Sequence, residues 1–427
     1  MIAEFFTNDH GDLSPQARTY IAGLLTRSPR KNMERMAEEI PGAVFQNLQY
    51  FISESRWEYS PLWKWIGERA AKLLGGGVEN MLLLDESGFS KKGVKSAGVA
   101  RQYNGRVGKV DNCQVGVFSA LSFGSRATLT GARLYLPEDW TEDSERCEAA
   151  KIPEAERRFR TKPELAWELI EQMEADGIPF GWVGMDAVYG RDQGLLLKIS
   201  GMGKKFMADV NHDQKVWTIA PESQVRPDNV TEDGAVSVDS LWKSGKSVAR
   251  KFKLRDGENG RVVVRFWAQR VWIWPQTSEI PMGVWLCVTE RADGSVKYSL
   301  TNASEEMGWE DLAKRQGQRY FVERTFEDGK SELGMADYQS RRWLAWQHHM
   351  VLVGVAMVFT LGERTLLQKD APMLSVRDIV DLIAWYFERG RTEAEVEAAV
   401  RDRHRRRAAA MKSKMRRKPG ESGFLTK

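Results

Sequence analysis

Three carboxylates stand where chemistry could use them. Asp85 ends an apolar run, Met81 to Leu84; Asp186 ends another, Phe180 to Met185; and Glu323 lies on a short amphipathic helix from Arg319 to Leu333. At roughly 100° per residue, Val322, Phe326 and Leu333 form that helix's buried stripe, and Arg319, Glu323, Glu327 and Lys330 share the adjoining face. An acid with an Arg one turn before it and a Lys about two turns after it can hold a metal ion beside an anion. The plainer reading of such a face is a set of solvated i,i+4 ion pairs, each worth a few tenths of a kcal/mol.

The three acids gain meaning together. If the first strand is central, the fourth beside it and the late helix packed across both, the carboxylates meet and repel one another unless divalent cations neutralise them. Hard oxygen donors with few His or Cys nearby point to Mg²⁺ or Mn²⁺ rather than Zn²⁺. Two such ions about 3.5 to 4 Å apart would activate a water or a 3′-hydroxyl for in-line phosphoryl displacement, and Arg319 and Lys330 would hold the substrate phosphates. Glu327, one turn on from Glu323, is the rival for the third position, and Asp at a strand end is by itself ordinary turn chemistry.

The elements that must position these residues follow a strand-rich order. Strands are expected at Met81 to Leu84, Gln114 to Leu121, Ala127 to Leu136, Phe180 to Met185 and Lys205 to Val210, with helices at Pro163 to Asp176 and Arg191 to Ile199. Residues 1–76 read as helices opened by Pro15, Pro29 and Pro61, and form a candidate DNA-binding domain in which Arg27, Arg30 and Lys31 could grip phosphates. Residues 77–210 hold the first part of the catalytic core, and 211–305 turn to short aromatic, β-branched segments expected to form an insertion domain. The core resumes over 306–362 with the Glu323 helix and a buried helix over Met350 to Leu361, about a dozen residues and too short to span a bilayer. His348 and His349 within that region suit a packing role. Residues 363–427 comprise a helix from Ser375, a Thr392–Glu395 capping box and a basic tail containing Arg405, Arg406 and Arg407. The predicted class is α/β, a mixed sheet flanked by helices.

Composition agrees with a folded protein: 427 residues, 42% apolar, 29% charged. Net charge is only +4, yet ten Lys or Arg crowd between Arg401 and Lys418, which suggests a polyanion partner bound through its backbone. Cys113, Cys147 and Cys287 are odd in number and scattered, which supports neither a disulfide framework nor a zinc site. The opening MIAEFFTNDHGDL carries acids and lacks a long apolar run, so no cleavable signal is expected there, and a cytoplasmic, nucleoid-associated protein is.

At the residue level the chain resembles the DDE transposases of bacterial insertion sequences, in the cut-and-paste branch with a β-strand insertion between the second Asp and the Glu. LLLDESGFSKKG is similar to that family's first-Asp motif and GMDAVYG to its second, with spacings of about 100 and then about 140 residues to the Glu. The family pattern around the acid is Tyr, two residues, Arg, three residues, Glu, six residues, Lys. Arg319, Glu323 and Lys330 match it, while Gln316 stands at the Tyr position, where Tyr320 is the nearest substitute. GVARQYNGRVGKVDNCQVGVF, Thr161-Lys162 and GMADYQSRRWLAWQHH also resemble the group, so the likeness covers most of residues 15 to 415.

The resemblance implies an RNase H-like core and a metal-dependent endonuclease and strand transferase. Such a protein binds inverted-repeat ends, synapses them as a homodimer, cuts both strands and joins the 3′ ends to target DNA, commonly through a hairpin intermediate. It also implies that Asp85 bridges two Mg²⁺ ions, with Mn²⁺ able to substitute, while Asp186 completes one site and Glu323 the other. A flipped base needs a stacking partner, for which Trp272, Trp274 and Trp285 are candidates; the alternative for each is ordinary sheet core. Two other readings are a transposase-derived DNA-binding protein without catalysis, which metal binding would separate, and a carboxylate-pair glycoside hydrolase, which would not need the terminal basic cluster.

Overall fold

The computed structural model describes residues 2–8, 11–105, 107–221, 234–257, 260–275, 278, 280–367, 374–387 and 405. Its centre is a ten-stranded mixed sheet flanked by helices. The strands are β1 (Met81–Ser90), β2 (Ala100–Asn104), β3 (Lys109–Phe123), β4 (Arg126–Leu134), β5 (Trp182–Met185), β6 (Lys205–Val210), β7 (Arg250–Gly257), β8 (Gly260–Ile273), β9 (Met282–Glu290) and β10 (Val296–Thr301). Across the sheet they run β7-β8-β9-β10-β6-β5-β1-β3-β2, with β4 also paired to β3. β1, β5 and β6 are parallel neighbours, and every other pair is antiparallel.

β1 is longer than the sequence predicts. Leu84 is its last residue paired to β5, but the strand continues to Ser90 along β3 alone. Asp85 is therefore mid-strand, at the point where one edge of β1 opens. Gly88, which reads as a turn residue, pairs with Val115 inside the strand, where an added Cβ would come 2.4 Å from the Asn104 side chain. The aromatic, β-branched stretch supplies four strands of this sheet. Its strands β7 to β10 continue the main sheet, joined through β10 to β6.

Helices cover both faces. α1 (Ser14–Leu24), α2 (Met33–Glu39), α3 (Phe45–Ser53) and α4 (Ser60–Leu74) come first; α4 starts with Pro61 in its first turn and stops at Gly75, whose φ of 75° takes the left-handed cap that glycine favours. α5 (Lys162–Ala175) begins in a capping box between Thr161 and Glu164. α6 (Ala187–Gly190) and α7 (Gln193–Gly201) follow β5, and α8 (Trp309–Gln318), α9 (Tyr320–Glu332), α10 (Trp343–Leu367) and α11 (Val376–Phe387) follow the last strand. On β3, Phe118 packs with Phe326 of α9 and Trp346 of α10, whereas on the opposite face Gly131 of β4, beside Ser119, approaches Leu169 of α5. β1 is thus covered on both sides, which is why Met81 to Leu84 can be uniformly apolar.

α10 is 25 residues long, twice the apolar run that marks it in the sequence, and is long and apolar enough to cross a membrane. Its most apolar window is 67% buried inside the fold, the mark of a core helix. His348 and His349 lie within this core. The two ring nitrogens of His348 stand 3.0 Å from the Ile52 and Trp57 carbonyls, and its ring stacks on Trp57; His349 meets the Tyr20 hydroxyl at 2.8 Å and the Met335 carbonyl at 3.3 Å, with Tyr338 stacked on it.

Burial pushes these imidazoles down, His348 to about 4 and His349 to about 3, the second aided by the nearby Lys91 charge. With folded values this low, the unfolded chain takes up their protons first, near pH 6.5. Stability from this pair is present above that pH and falls as pH drops toward the folded values. In urea titrations between pH 7.5 and 5, replacing His349 with Gln is expected to make the decline shallower than wild type, by up to about 1.4 kcal/mol per pH unit. Equal slopes would show that the ring is charged in the fold.

Candidate active site

The register of the parallel strands assembles the site. Leu84 on β1 pairs with Met185 on β5, and Met185 with Ala208 on β6. The next residue along each chain segment is an aspartate: Asp85, Asp186 and Asp209 occupy one row across three neighbouring strands, just beyond the last parallel pair of β1 and β5, with the strands about 4.8 Å apart. This is the usual side for a site in a parallel sheet.

Local structure fixes two of the carboxylates. Asp85 Oδ1 accepts the Glu86 backbone N–H at 2.7 Å, and Asp186 caps α6 by accepting the Val188 N–H at 2.9 Å. Glu86 pairs with Lys162 at 2.5 Å, tying the first turn of α5 to β1 beside Asp85. Gly190, at the end of GMDAVYG, lies so close to β6 that an added Cβ would sit 2.0 Å from the Asp209 carbonyl oxygen, so a side chain there must push the β6 aspartate away.

Arg319, at the junction of α8 and α9, closes the row. Its guanidinium stands 3.3 Å from Asp85 Oδ2, 2.6 Å from Asp209 Oδ2 and 2.8 Å from Glu323 Oε1. Asp209 also meets Lys297 of β10 at 2.9 Å and accepts the Ser299 hydroxyl at 2.6 Å. Burial opposes the Arg319 charge, but Asp209, Asp85, Glu323 and Asp186 together more than offset it and raise its pKa. Burial, then the charge of Asp186, push the Asp85 carboxyl up to about 7 against the pull of Arg319. Asp186 is raised as well, mainly by burial. Within the row, Asp85 and Asp186 are half-buried acids whose repulsion one arginine relieves only in part.

The structure therefore brings Asp85, Asp186, Arg319 and Glu323 together. Glu323 is 56% exposed at the mouth of the site, whereas Glu327 is paired with Arg324 at 3.3 Å and Asp328, pushed up to about 6 by burial, lies against the same arginine at 3.2 Å. Lys330 stands farther along β1, donating to the Gly88 carbonyl at 3.3 Å. Gln316 is buried: its amide donates to Ser299 Oγ at 2.8 Å and accepts from the Thr289 hydroxyl, so it pins α8 to β9 and β10 and does not face the site mouth. Tyr320 lies under the Arg255 guanidinium, 3.9 Å from its ring centre.

Some candidates fall elsewhere. Lys31 is only 3% exposed, and its amine donates inward to the Leu24 and Glu332 carbonyls, which removes it from any surface phosphate contact. Arg27 is paired with Asp381 at 3.0 Å, while Arg30 is exposed. Arg405 is exposed; Arg406 and Arg407 lie outside the described residues. Trp274 is buried and offers no open face, whereas Trp272 and Trp285 are half-buried, the latter donating to the Ser304 carbonyl. Asp209 is the residue that sequence reasoning missed. Its signal is an acid interrupting the apolar strand KKFMADV, one row beyond Ala208.

Among the described residues no three His, Cys, Asp or Glu side chains are grouped closely enough to hold a metal ion. The donor set still suits a hard divalent cation: two half-buried carboxylates with raised pKa, a third at the mouth held by Arg319, and a buried Tyr189 hydroxyl that has no hydrogen-bond partner among the described residues and lies in the field of Glu86, Asp85 and Asp186. Such a cation would relieve the repulsion that burial imposes.

Comparison with known proteins adds three observations. Residues 6–235 match the family described as DDE superfamily endonuclease, a span that contains Asp85, Asp186 and Asp209 but not Glu323. A probable transposase for insertion sequence element IS701 from Microchaete diplosiphon is 30% identical over 184 residues, 42% of this chain and 45% of that protein, so the chain spans less than half of that relative's length. Among solved structures, a piggyBac transposase synaptic complex with hairpin DNA superposes over 91% of this chain and 76% of its own at 8% identity and a TM-score of 0.41, too loosely to argue from.

Proposed function

The chain belongs to the DDE superfamily endonuclease family, and from that premise we propose that it is an insertion-sequence transposase that cuts DNA at the element's ends and joins the 3′ ends to target DNA. The observation that carries this reading is the shared row of Asp85 and Asp186, with Arg319 and Glu323 closing over it. In this reading the core is RNase H-like, preceded by a DNA-binding region over 1–76, interrupted by an insertion over 211–305 and followed by a basic region over 363–427. The working form is a homodimer on two inverted-repeat ends, at the nucleoid. A hairpin intermediate belongs to the same proposal, with Trp272 or Trp285 as the stacking residue because they are the half-exposed candidates.

Asp85, Asp186 and Glu323 would hold two Mg²⁺ or Mn²⁺ ions, whose chemistry when bound is to activate water or a 3′-hydroxyl and to stabilise the leaving oxygen. The chain's own residues do the rest. Arg319 holds Asp85 and Glu323 toward one point and keeps positive charge at the mouth, where a phosphate must enter. Lys330, above Gly88, offers a second cation to the same strand of DNA. The partial burial of Asp85 and Asp186 weakens the screening of their interactions by bulk water.

The test is cleavage of a plasmid carrying the DNA that flanks this gene, in Mg²⁺ and in Mn²⁺. Cutting at defined ends is expected, lost in Glu323→Ala and retained in Glu327→Ala. The reverse pattern would make Glu327 the third ligand. Binding without cutting by wild type in either ion would leave a DNA-binding protein without catalysis.

A further inference from the structure

β1 leads out of the site into a cavity of about 470 Å³ lined by cations from three distant stretches: Arg30, then Lys91, Lys92 and Lys95 from the loop after β1, then Arg341 before α10. Among the described residues none of these five forms an ion pair with a carboxylate, although most charged side chains near the site do. The one acid in the lining, Asp337, accepts the Lys31 backbone N–H at 2.9 Å.

The backbone that carries these cations is fixed. Lys91 N donates to the Asn112 carbonyl at 2.8 Å, and the Asn112 amide returns bonds to the Lys91 and Gly93 carbonyls at 2.6 and 3.1 Å. Ala97 N donates to the Arg341 carbonyl at 2.9 Å, joining the two cationic stretches. The Lys91 ammonium lies 4.1 Å from the Tyr338 ring centre and donates to the Tyr338 carbonyl at 3.2 Å. Burial lowers it to about 8 against the opposing charge of Asp337, which leaves the amine cationic at neutral pH. Pre-set, unpaired cations in a concave surface are an anion site that has already met its ordering cost.

Position identifies the anion. Asp85 and Ser90 are five residues apart on one strand, about 17 Å, with Lys330 between them over Gly88 and the Phe89 ring. Arg319, Lys330 and the cavity cations thus make a track along β1. A strand of duplex DNA rises about 3.4 Å per nucleotide, so a phosphate about five nucleotides from the one at Asp85 reaches the cavity. We infer that the cavity formed by Arg30, Lys91, Lys92, Lys95 and Arg341 binds the DNA backbone about five nucleotides from the scissile phosphate. This rests on the transposase reading and adds a contact that fixes how DNA runs across the sheet.

The test compares wild type with the triple variant Lys92→Ala/Lys95→Ala/Arg341→Ala on a duplex carrying the gene-flanking ends, over a salt series. All three side chains are exposed, and thermal melts check the fold; Lys92→Glu serves if the triple variant fails to fold. The slope of log affinity against log salt should fall by about two to three in the triple variant. Phosphate-ethylation interference about five nucleotides from the cut should disappear, while Lys198→Ala/Lys314→Ala, exposed on α7 and α8, should keep the wild-type slope. An unchanged slope and footprint in the triple variant, with wild type still binding and cutting, would overturn this inference alone. Failure of wild type to bind the duplex at all would remove the transposase reading and this inference together.

Discussion

Asp85→Asn is expected to abolish DNA cleavage, by at least about a thousandfold, while leaving DNA affinity near wild type. The size follows from the several kcal/mol that a metal-held site contributes to the transition state of phosphoryl transfer, about 1.4 kcal/mol per factor of ten. Affinity should survive because duplex binding depends chiefly on cations facing phosphates, and Asp85 is an acid paired to β3 on one edge of β1, not such a cation. Loss of binding as well would mean that Asp85 supports the fold of the site rather than its chemistry.

The same substitution should raise the melting temperature in EDTA at pH 8. Burial and Asp186 raise the Asp85 carboxyl to about 7, so its charge costs stability once pH has risen through that value, and asparagine keeps the shape without the charge. A variant that is inactive and more stable is what a strained catalytic acid predicts. One that melts lower would show that the ion pair with Arg319 outweighs the repulsion.

How far the sequence reveals this site depends on which part is asked about. Asp85 and Asp186 are legible because each follows an uninterrupted apolar run, and parallel strands buried on both faces must look like that. Glu323 is legible because Arg319 and Lys330 bracket it at helical spacing. The extent of β1 is not, because Gly88 reads as a turn residue when it is in fact required for the approach of Asn104. Asp209 is hidden because its importance is a matter of register, and register between β5 and β6 depends on packing far from either strand's own residues. Lys31 shows the opposite failure: its place in RSPRKN is that of a surface cation, and only the approach of the α9 end at Glu332 buries it. The cationic cavity joins residues some 250 positions apart, beyond the reach of local patterns.

Asp209 yields the second large effect. Its Oδ2 lies 2.6 Å from Arg319 Nε and 2.9 Å from Lys297, so it holds one side of a guanidinium whose other nitrogens reach Asp85 and Glu323. Without that anion Arg319 is shared by Asp85 and Glu323 alone and binds both more tightly, in competition with the cations those acids would otherwise hold. Asp209→Asn, which keeps an acceptor for Ser299, is therefore expected to shift the Mn²⁺ midpoint for cleavage upward by about 10- to 100-fold, the usual cost of disturbing a residue that orients metal ligands. Excess Mn²⁺ should recover most of the rate in Asp209→Asn and none in Asp85→Asn, which separates a positioning residue from a ligand. Lys297 would be left half-buried beside Arg319 without its partner, so Asp209→Asn/Lys297→Met keeps the measurement possible if the single variant unfolds. A folded Asp209→Asn protein with an unshifted midpoint would show that Arg319 keeps its orientation from Asp85 and Glu323 alone.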